Sequence, residues 1–223
     1  MAIASVTIGP YDPPAFPEAK CTDKATLLMI EVQDKSLADL PTGASLIPEF
    51  VSAAREAELL EWIDRQNWRD DLRRRVQHYG WVYDYRARHV SADAYLGELP
   101  PPLRAECDRL SASDLFGAHP SQIIVNEYEP GQGIAPHIDC VPCFGPVIAS
   151  LSLGSPCEIV FGNRTSGARV SCLLEPRSLL VLGGPARFEW PHTIPARKSD
   201  VVQGIRTPRK RRVSLTYRTV LAD

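Results

Sequence analysis

Two histidines and one aspartate carry the spacing that a mononuclear metal site needs. His137 and Asp139 stand two residues apart, and His192 follows in a later segment. In a strand, residues i and i+2 point to the same side, so His137 and Asp139 can hold one ion together. Two imidazoles and one carboxylate that leave open coordination positions are the ligand set of non-haem Fe(II). The pattern therefore predicts an iron site made by these three side chains.

The segment RVSLTYRTV near the C-terminus predicts a strand with one polar face. Arg212, Ser214 and Arg218 would share that face, and the apolar residues between them would share the other. Arginines inside a barrel are costly unless anions pair with them. A guanidinium matches a carboxylate through two parallel hydrogen bonds, so a bound dicarboxylate is one interpretation. Pairing with acidic side chains of the fold is the other, and the residues alone leave both open.

Asn126 and Tyr128 show the same two-residue spacing at the start of the β-rich half. An amide and a phenol can form hydrogen bonds with an anionic cosubstrate. Taken alone, both are ordinary strand residues, and Tyr128 alone would be assigned to the core.

The elements that must position these residues fall into two regions. A chain of 223 residues with 44% hydrophobic content is long enough for one domain with a full core. Helices are predicted from Ser52 to Trp68 and from Pro100 onward. From Gln122 onward, short apolar runs separated by Gly and Pro predict a sandwich or jelly roll. The runs are QIIVNEY, APHID, VIASLSL, EIVFG, SCLLE, SLLVLG, EWPHTI and RVSLTYRTV.

The predicted fold class is therefore α+β and mainly β, with a jelly-roll core and N-terminal helices packed on one sheet. Residues 27–120 would form the helical support and a substrate lid, and residues 121–223 the core, within a single domain. A short strand is predicted at Leu27–Val32. Residues 1–26, rich in Pro and small residues, are predicted to be flexible.

Composition excludes several classes of protein. No apolar run is long enough to span a membrane, and the N-terminus does not resemble a secretory signal. Six cysteines do not form the pattern of a disulfide framework, and Cys140-x-x-Cys143 lacks the second pair that a zinc site needs. Reduced thiols in the cytoplasm, or in the nucleus of a eukaryote, are expected. The net charge of −2 is uninformative, because it hides basic clusters at residues 69–75 and 197–218.

Three segments resemble the AlkB-like family of Fe(II)/2-oxoglutarate dioxygenases: NEYEPGQGIAPHID, LEPRSLLVLGGPARFEWPHTIP and RRVSLTYR. The resemblance begins at about Ser45 and is most specific in the C-terminal half. It implies a double-stranded β-helix core, iron ligation by His137, Asp139 and His192, and O₂ and 2-oxoglutarate as cosubstrates.

The resemblance also implies how 2-oxoglutarate is bound. Arg212 would hold the distal carboxylate with help from Tyr128. Arg218 and Asn126 would lie near the carboxylate that chelates iron. Ser214 stands where the family often has Asn or a similar polar residue, and this departure is expected to weaken a contact without removing the site.

The resemblance implies that the substrate is alkylated DNA or RNA. A single-stranded substrate and a monomeric protein are expected. Oxidation of an N-alkyl group, as on 1-methyladenine or 3-methylcytosine, would release formaldehyde with succinate and CO₂. Alternation along VQHYGWVYDY would put Tyr79, Trp81, Tyr83 and Tyr85 on one face, as a stacking platform for a base. Tyr83 and Tyr85 are the predicted base contacts, although a half-buried strand with core aromatics fits the same pattern.

The basic stretch 206–212 lies beside the predicted cosubstrate strand, and Arg211 within it is the predicted phosphate contact. A solvated face is the other interpretation of such a run. Two further substrate classes remain. RFEWPHTIPARKSD is similar to the tRNA wobble-uridine branch of the family, which carries an added RNA-binding module and a methyltransferase that these residues do not contain. A protein demethylase or hydroxylase is the third possibility.

Overall fold

The computed structural model describes residues 40–70, 72–113, 115–202 and 204–221. The flexible segment predicted at 1–26 and the strand predicted at Leu27–Val32 lie outside the described residues. In chain order the elements are β1 (Ala44–Ile47), α1 (Ala53–Asp64), β2 (Val76–Tyr79), a 3₁₀ turn (Ala92–Ala94), α2 (Pro101–Ala112), β3 (Gln122–Tyr128), β4 (Ile134–His137), β5 (Phe144–Gly154), β6 (Cys157–Gly162), β7 (Arg169–Leu174), β8 (Leu179–Leu182), α3 (Gly184–Phe188), β9 (His192–Ile194), β10 (Ser199–Val202), β11 (Ile205–Pro208) and β12 (Arg212–Val220).

Two antiparallel sheets form the core of the fold. The larger has the order β1-β8-β5-β12-β3-β2 and the smaller has the order β4-β9-β6-β7, while β10 and β11 form a separate hairpin. Apolar residues from both sheets make one cluster, which includes Ile159 and Phe161 of the smaller sheet and Leu180 and Leu182 of the larger. The predicted mainly β, jelly-roll fold is confirmed. The division into a single domain over 27–223 stays a prediction.

The helices cover the outer face of the larger sheet. In α1 the Ser52 hydroxyl accepts a hydrogen bond from the Arg55 backbone N–H at 3.1 Å, which is the N-cap that the sequence predicts. The helix ends at Asp64, earlier than the predicted Trp68. Leu59 and Leu103, one from each long helix, are fully buried in the cluster that also contains the apolar face of β12. The opposite face of β12 is therefore free to line a cavity.

The aromatic segment after β2 is not one continuous strand. Gly80 has a φ of +76°, and a Cβ there would lie 2.0 Å from the carbonyl oxygen of Ser121. Only glycine tolerates this turn, so the strand ends at Tyr79. Tyr79 packs on Trp62 at 5.6 Å between ring centroids, on the helical side of the sheet.

Beyond the turn, the chain runs on the other side of the larger sheet. Trp81 packs on Tyr95 at 4.9 Å, and Tyr83 packs on Phe144 at 5.5 Å. The prediction that Tyr79, Trp81, Tyr83 and Tyr85 share one face is therefore wrong for Tyr79, because alternation does not persist through a left-handed glycine.

Cys140 and Cys143 form a disulfide, with a Cα–Cα distance of 5.3 Å that lies within the usual range for this bond. The expectation that these two cysteines are reduced thiols is therefore wrong. Cys107, Cys157 and Cys172 are free and buried. No helix within the described parts of the chain is both long and apolar enough to cross a membrane.

Candidate metal and cosubstrate site

The three predicted metal ligands meet at the open end of the smaller sheet. Strands β4 and β9 pair so that His137 lies opposite His192, and Asp139 follows two residues after the end of β4. One ligand atom from each residue lies within 4.8 Å of the others. The imidazole centroids are 4.4 Å apart, and His192 Nε2 is 3.8 Å from Asp139 Oδ2. The side chains are therefore close enough to share one ion.

The protonation states suit a divalent cation. His137 Nδ1 lies 2.9 Å from the Ala135 carbonyl oxygen. In this contact Nδ1 donates to the carbonyl, so Nε2 is the ring nitrogen that remains for a metal. Burial, together with the nearby His137, lowers the pKa of His192 to about 4, so this imidazole is neutral at neutral pH. Burial opposes ionisation of Asp139, but Arg218 and the two histidines outweigh it and hold the pKa of this carboxyl below its usual range. Two histidines and one carboxylate fit the ligand requirements of Fe(II).

Two buried arginines orient Asp139. Arg218 Nη2 donates to Asp139 Oδ1, and Arg218 Nη1 donates to Gln122 at 3.2 Å. Arg187 Nη1 donates to the backbone carbonyl of Asp139 at 2.9 Å. Because Oδ1 is engaged, Oδ2 is the oxygen that faces His192. Arg187 was not predicted from the sequence. The one feature that could have indicated its role is a cation within the apolar segment between β8 and β9.

A cavity of about 1000 Å³ opens from the triad along the polar faces of β3 and β12. Arg212 lies inside it and is 3% exposed. Its Nη2 donates to Ser152 Oγ at 2.8 Å, while Nε and Nη1 have no hydrogen-bond partner. Within the described residues Arg212 has no carboxylate partner. A buried cation with free donors fits a bound carboxylate, as 2-oxoglutarate would supply.

The other predicted cosubstrate residues also line this cavity. Tyr128 lies against the Arg212 guanidinium, at 5.5 Å from Cζ to the ring centroid. Ser214 Oγ is 2.8 Å from Ser150 Oγ. Asn126 Oδ1 accepts a hydrogen bond from Arg74 Nε at 2.8 Å. The register of β12 with β3, which sets Arg212 opposite Tyr128 and Ser214 opposite Asn126, explains why these residues converge.

Of the predicted substrate contacts, the structure brings two to the cavity and leaves the third away from it. Tyr83 and Tyr85 are half-buried in the cavity wall, with ring centroids 5.1 Å apart and the rings edge-on. Arg211 lies on the opposite side of β12. Its Nε donates to Glu127 at 2.7 Å, and its terminal nitrogens bind Asp64. Arg211 is therefore committed to carboxylates of the fold, because strand alternation turns residue 211 away from the face of Arg212.

Arg209 of the same basic stretch is also engaged by a carboxylate of the fold. Arg209 is buried and donates from Nε to Asp200 at 2.6 Å. Three exposed arginines without a carboxylate partner within the described residues lie at the cavity edge, on three different segments. These residues are Arg73, Arg88 and Arg164.

Comparison with known proteins agrees with this geometry. A family model described as "2OG-Fe(II) oxygenase superfamily" matches residues 43–218. The Arabidopsis thaliana protein "Alkylated DNA repair protein ALKBH8 homolog" is 36% identical over 201 residues, which cover 80% of this chain and 58% of that protein. The mouse "tRNA (carboxymethyluridine(34)-5-O)-methyltransferase ALKBH8" is 37% identical over 179 residues, which cover 77% of this chain but 27% of that protein. The chain thus spans little more than half of the Arabidopsis relative and about a quarter of the mouse relative.

The fold also resembles that of a solved structure. "The structure of OsALKBH1" superposes with a TM-score of 0.64 at 18% identity, covering 81% of this chain and 98% of that one. With a family match over most of the chain, the metal triad and the jelly roll have a common explanation. The chain belongs to the 2OG-Fe(II) oxygenase superfamily, as an AlkB-like dioxygenase that uses Fe(II), 2-oxoglutarate and O₂.

Proposed function

We propose that this dioxygenase oxidises an alkyl substituent carried by a base of DNA or RNA. The observation that carries the proposal is the cavity itself, which joins the metal triad to aromatic walls and a basic edge. Aromatic rings stack bases, and basic side chains attract phosphates. Such a substrate would place the protein in the cytoplasm, or in the nucleus of a eukaryote.

Each residue of the site has a defined task in this proposal. Bound together, Fe(II), 2-oxoglutarate and O₂ supply an oxidation that inserts one oxygen atom into a C–H bond and converts 2-oxoglutarate to succinate and CO₂. Arg218 holds Asp139 Oδ1, so that Oδ2 is presented to the metal with the two histidines. Arg212, whose Nη1 has no partner within the fold, would donate to the distal carboxylate of 2-oxoglutarate. Tyr128, Asn126 and Ser214 border the same volume.

Substrate contacts come from the aromatic wall and the basic edge. Tyr83 and Tyr85 would contact the base, which must leave a helical stack to reach the cavity. Arg73, Arg88 and Arg164 would contact the phosphates on either side of it. A single strand, bound by one copy of the chain, satisfies both requirements.

Two kinds of base remain candidates. The first is an N-alkylated base such as 1-methyladenine or 3-methylcytosine, where hydroxylation of the carbon bonded to nitrogen leads to loss of formaldehyde. The second is a uridine with a carbon substituent, where a hydroxyl group on carbon stays in the product. The second is favoured by the mouse relative, whose name gives carboxymethyluridine 34 of tRNA as its methyltransferase substrate.

Succinate formation tests the proposal. Protein loaded with Fe(II) without O₂ would be mixed with O₂ and 2-oxoglutarate, with unmodified single-stranded oligonucleotides or with ones that carry 1-methyladenine, 3-methylcytosine or 5-carboxymethyluridine. We expect faster succinate formation with a modified oligonucleotide, and a product change of one oxygen atom or a lost methyl group. If no modified base stimulates succinate formation above the unmodified strand, the proposal is refuted.

Salt dependence tests the basic edge separately. Each phosphate contact contributes about 0.7 to the slope of log affinity against log salt for a single strand. The double variant Arg88→Gln/Arg164→Gln should lower the slope by about 1.4 on this basis. Arg206→Gln, an exposed arginine in β11 outside the cavity, is the matched control and should leave the slope unchanged.

A further inference from the structure

Arg74 is a cavity arginine that the metal and cosubstrate roles above do not use. It lies just before β2, is half-buried and lines the cavity. Its Nε donates to Asn126 Oδ1 at 2.8 Å. Its Cζ is 5.8 Å from the ring centroid of Tyr128 and 5.9 Å from that of Tyr85. The guanidinium is thereby held between the proposed cosubstrate residues and the proposed base contact.

The terminal nitrogens of Arg74 are available to a ligand. Over the residues that the structure describes, they make no hydrogen bond, and Arg74 has no carboxylate partner. Other arginines of the same region differ in this respect, because Arg75 and Arg211 both pair with Glu127. An arginine fixed by one side-chain bond and two aromatic rings, with its terminal donors unused, is preorganised to bind an acceptor.

Charge decides what kind of acceptor fits. The two carboxylates of 2-oxoglutarate balance the two charges of Fe(II), and Arg218 balances Asp139. Arg212 and Arg74 then remain as positive charges inside the cavity, and Asp139 is the single acidic side chain that lines it within the described residues. Like charges brought together in a desolvated site repel strongly. The cavity is therefore better matched to a neutral or anionic base than to a cationic one.

We propose that Arg74 selects the substrate by charge, donating to a carboxylate or carbonyl oxygen of the base and excluding bases that are cations. This inference rests on the proposed function and refines it. Alkylation at N1 of adenine or N3 of cytosine gives a base that is positively charged at neutral pH. A uridine with a carboxylate substituent carries the opposite charge and presents carbonyl oxygens. Arg74 thus favours the uridine candidate over the N-methylated bases.

The test compares substrates of opposite charge on matched variants. Single-stranded RNA oligonucleotides of one sequence would carry 3-methylcytidine, 5-carboxymethyluridine or the neutral methyl ester of the latter. The proteins would be wild type, Arg74→Gln, Arg74→Lys and Arg86→Gln. Arg86 is an exposed arginine of the following loop that does not line the cavity, so its variant controls for loss of one positive charge. Readouts are kcat/KM from succinate, the KM for 2-oxoglutarate, and equilibrium binding of each oligonucleotide without O₂.

Wild type should prefer the carboxylate-bearing base, then its ester, and then the cation, both in binding and in kcat/KM. Arg74→Gln should reduce the preference for the anionic over the cationic base by about tenfold or more, equivalent to at least 1.4 kcal/mol. Arg74→Lys, which keeps the charge, should retain most of the preference, and Arg86→Gln should retain all of it. The KM for 2-oxoglutarate, measured in every variant, reports separately on Asn126 and Tyr128, the proposed cosubstrate residues that Arg74 contacts.

Several results would overturn the assignment. A wild-type preference for the cationic base would do so without any variant, so the test does not depend on the folding of Arg74→Gln. A preference that is unchanged in Arg74→Gln, with or without a higher KM for 2-oxoglutarate, would also overturn it. If bases are oxidised but the order of preference is independent of Arg74, the proposed function stands and this inference fails. If no base is oxidised, both fail.

Discussion

Replacing Arg212 with methionine tests whether the cavity binds 2-oxoglutarate through a buried arginine. Arg212 is 3% exposed, and its guanidinium makes one side-chain hydrogen bond, to Ser152, and has two unpartnered nitrogens. Removing it leaves no carboxylate unpaired within the described residues. The lost hydrogen bond costs about 1 kcal/mol, and removal of a desolvated charge offsets part of this cost. The free energy of unfolding of the ligand-free protein should therefore change by about 1 kcal/mol or less.

The effect on ligand binding should be far larger. Truncating one partner of a buried charged pair costs about 2–5 kcal/mol. At 1.4 kcal/mol per tenfold, the dissociation constant for 2-oxoglutarate should rise by about 30-fold to 4000-fold. Arg212→Lys keeps the charge but loses the two-donor fork, so its effect should be smaller than that of the methionine variant.

The measurement is calorimetric titration of 2-oxoglutarate into Fe(II)-loaded protein without O₂, with unfolding in denaturant followed in parallel. Arg206→Met is the control, because this exposed arginine hydrogen-bonds Ser199 in the hairpin outside the cavity. An unchanged dissociation constant in the Arg212 variant would move the cosubstrate site elsewhere. A loss of several kcal/mol in unfolding free energy would show that Arg212 is a structural residue instead.

The remaining predictions concern the metal, an ion pair and a turn. His137→Ala should lose iron and turnover together, as measured by metal content and succinate formation, and full activity with iron bound would contradict the ligand assignment. Arg209→Met should lower the free energy of unfolding by about 3 kcal/mol, because buried Asp200 loses a partner. Burial opposes ionisation of Asp200, but its arginine partners outweigh burial and depress its pKa. The stability that Asp200 contributes is therefore present above its unfolded pKa and is lost as the pH falls through its folded pKa. The difference in unfolding free energy between wild type and Arg209→Met should accordingly shrink in acid. Gly80→Ala should lower the free energy of unfolding by more than Gly204→Ala does. Both glycines have φ near +80°, but an added Cβ meets the Ser121 carbonyl oxygen at Gly80 and nothing within 4 Å at Gly204. Equal effects of the two variants on unfolding in denaturant would contradict the close-contact argument.

Local periodicity made the polar face of β12 predictable. The strand runs from Arg212 to Val220, as the run RVSLTYRTV predicts. Alternation placed Arg212 and Arg218 on one face and Leu215 on the other, which is buried against the helices. The same two-residue rule placed His137 and Asp139 together. These features depend on neighbours in sequence, so a sequence pattern contains them.

Elements set by distant contacts were not predictable. The strand expected through VQHYGWVYDY ends because Gly80 packs against the backbone of Ser121. The edge strand β1 has a half-buried sequence with no strong pattern, and it is stabilised by pairing with β8. Arg187 contacts Asp139 from a short helix 48 residues away in sequence. In each case the partner lies far along the chain, where local propensity carries no information.

The charges that matter for substrate choice illustrate the same limit. The stretch 206–212 is the densest basic run in the C-terminal half, yet Arg209 and Arg211 are neutralised by carboxylates of the fold. Arg74, in a cluster that is diluted by acids in sequence, lines the cavity beside Tyr85 and keeps its terminal donors free within the described residues. The number of arginines in a run therefore says little about binding. What decides it is which guanidinium groups the fold leaves without a carboxylate, and the partners that settle this lie up to 147 residues away in sequence. The sign of charge that the cavity accepts is a property of the folded chain, and it makes the anionic and cationic bases the sharpest pair of probes for this enzyme.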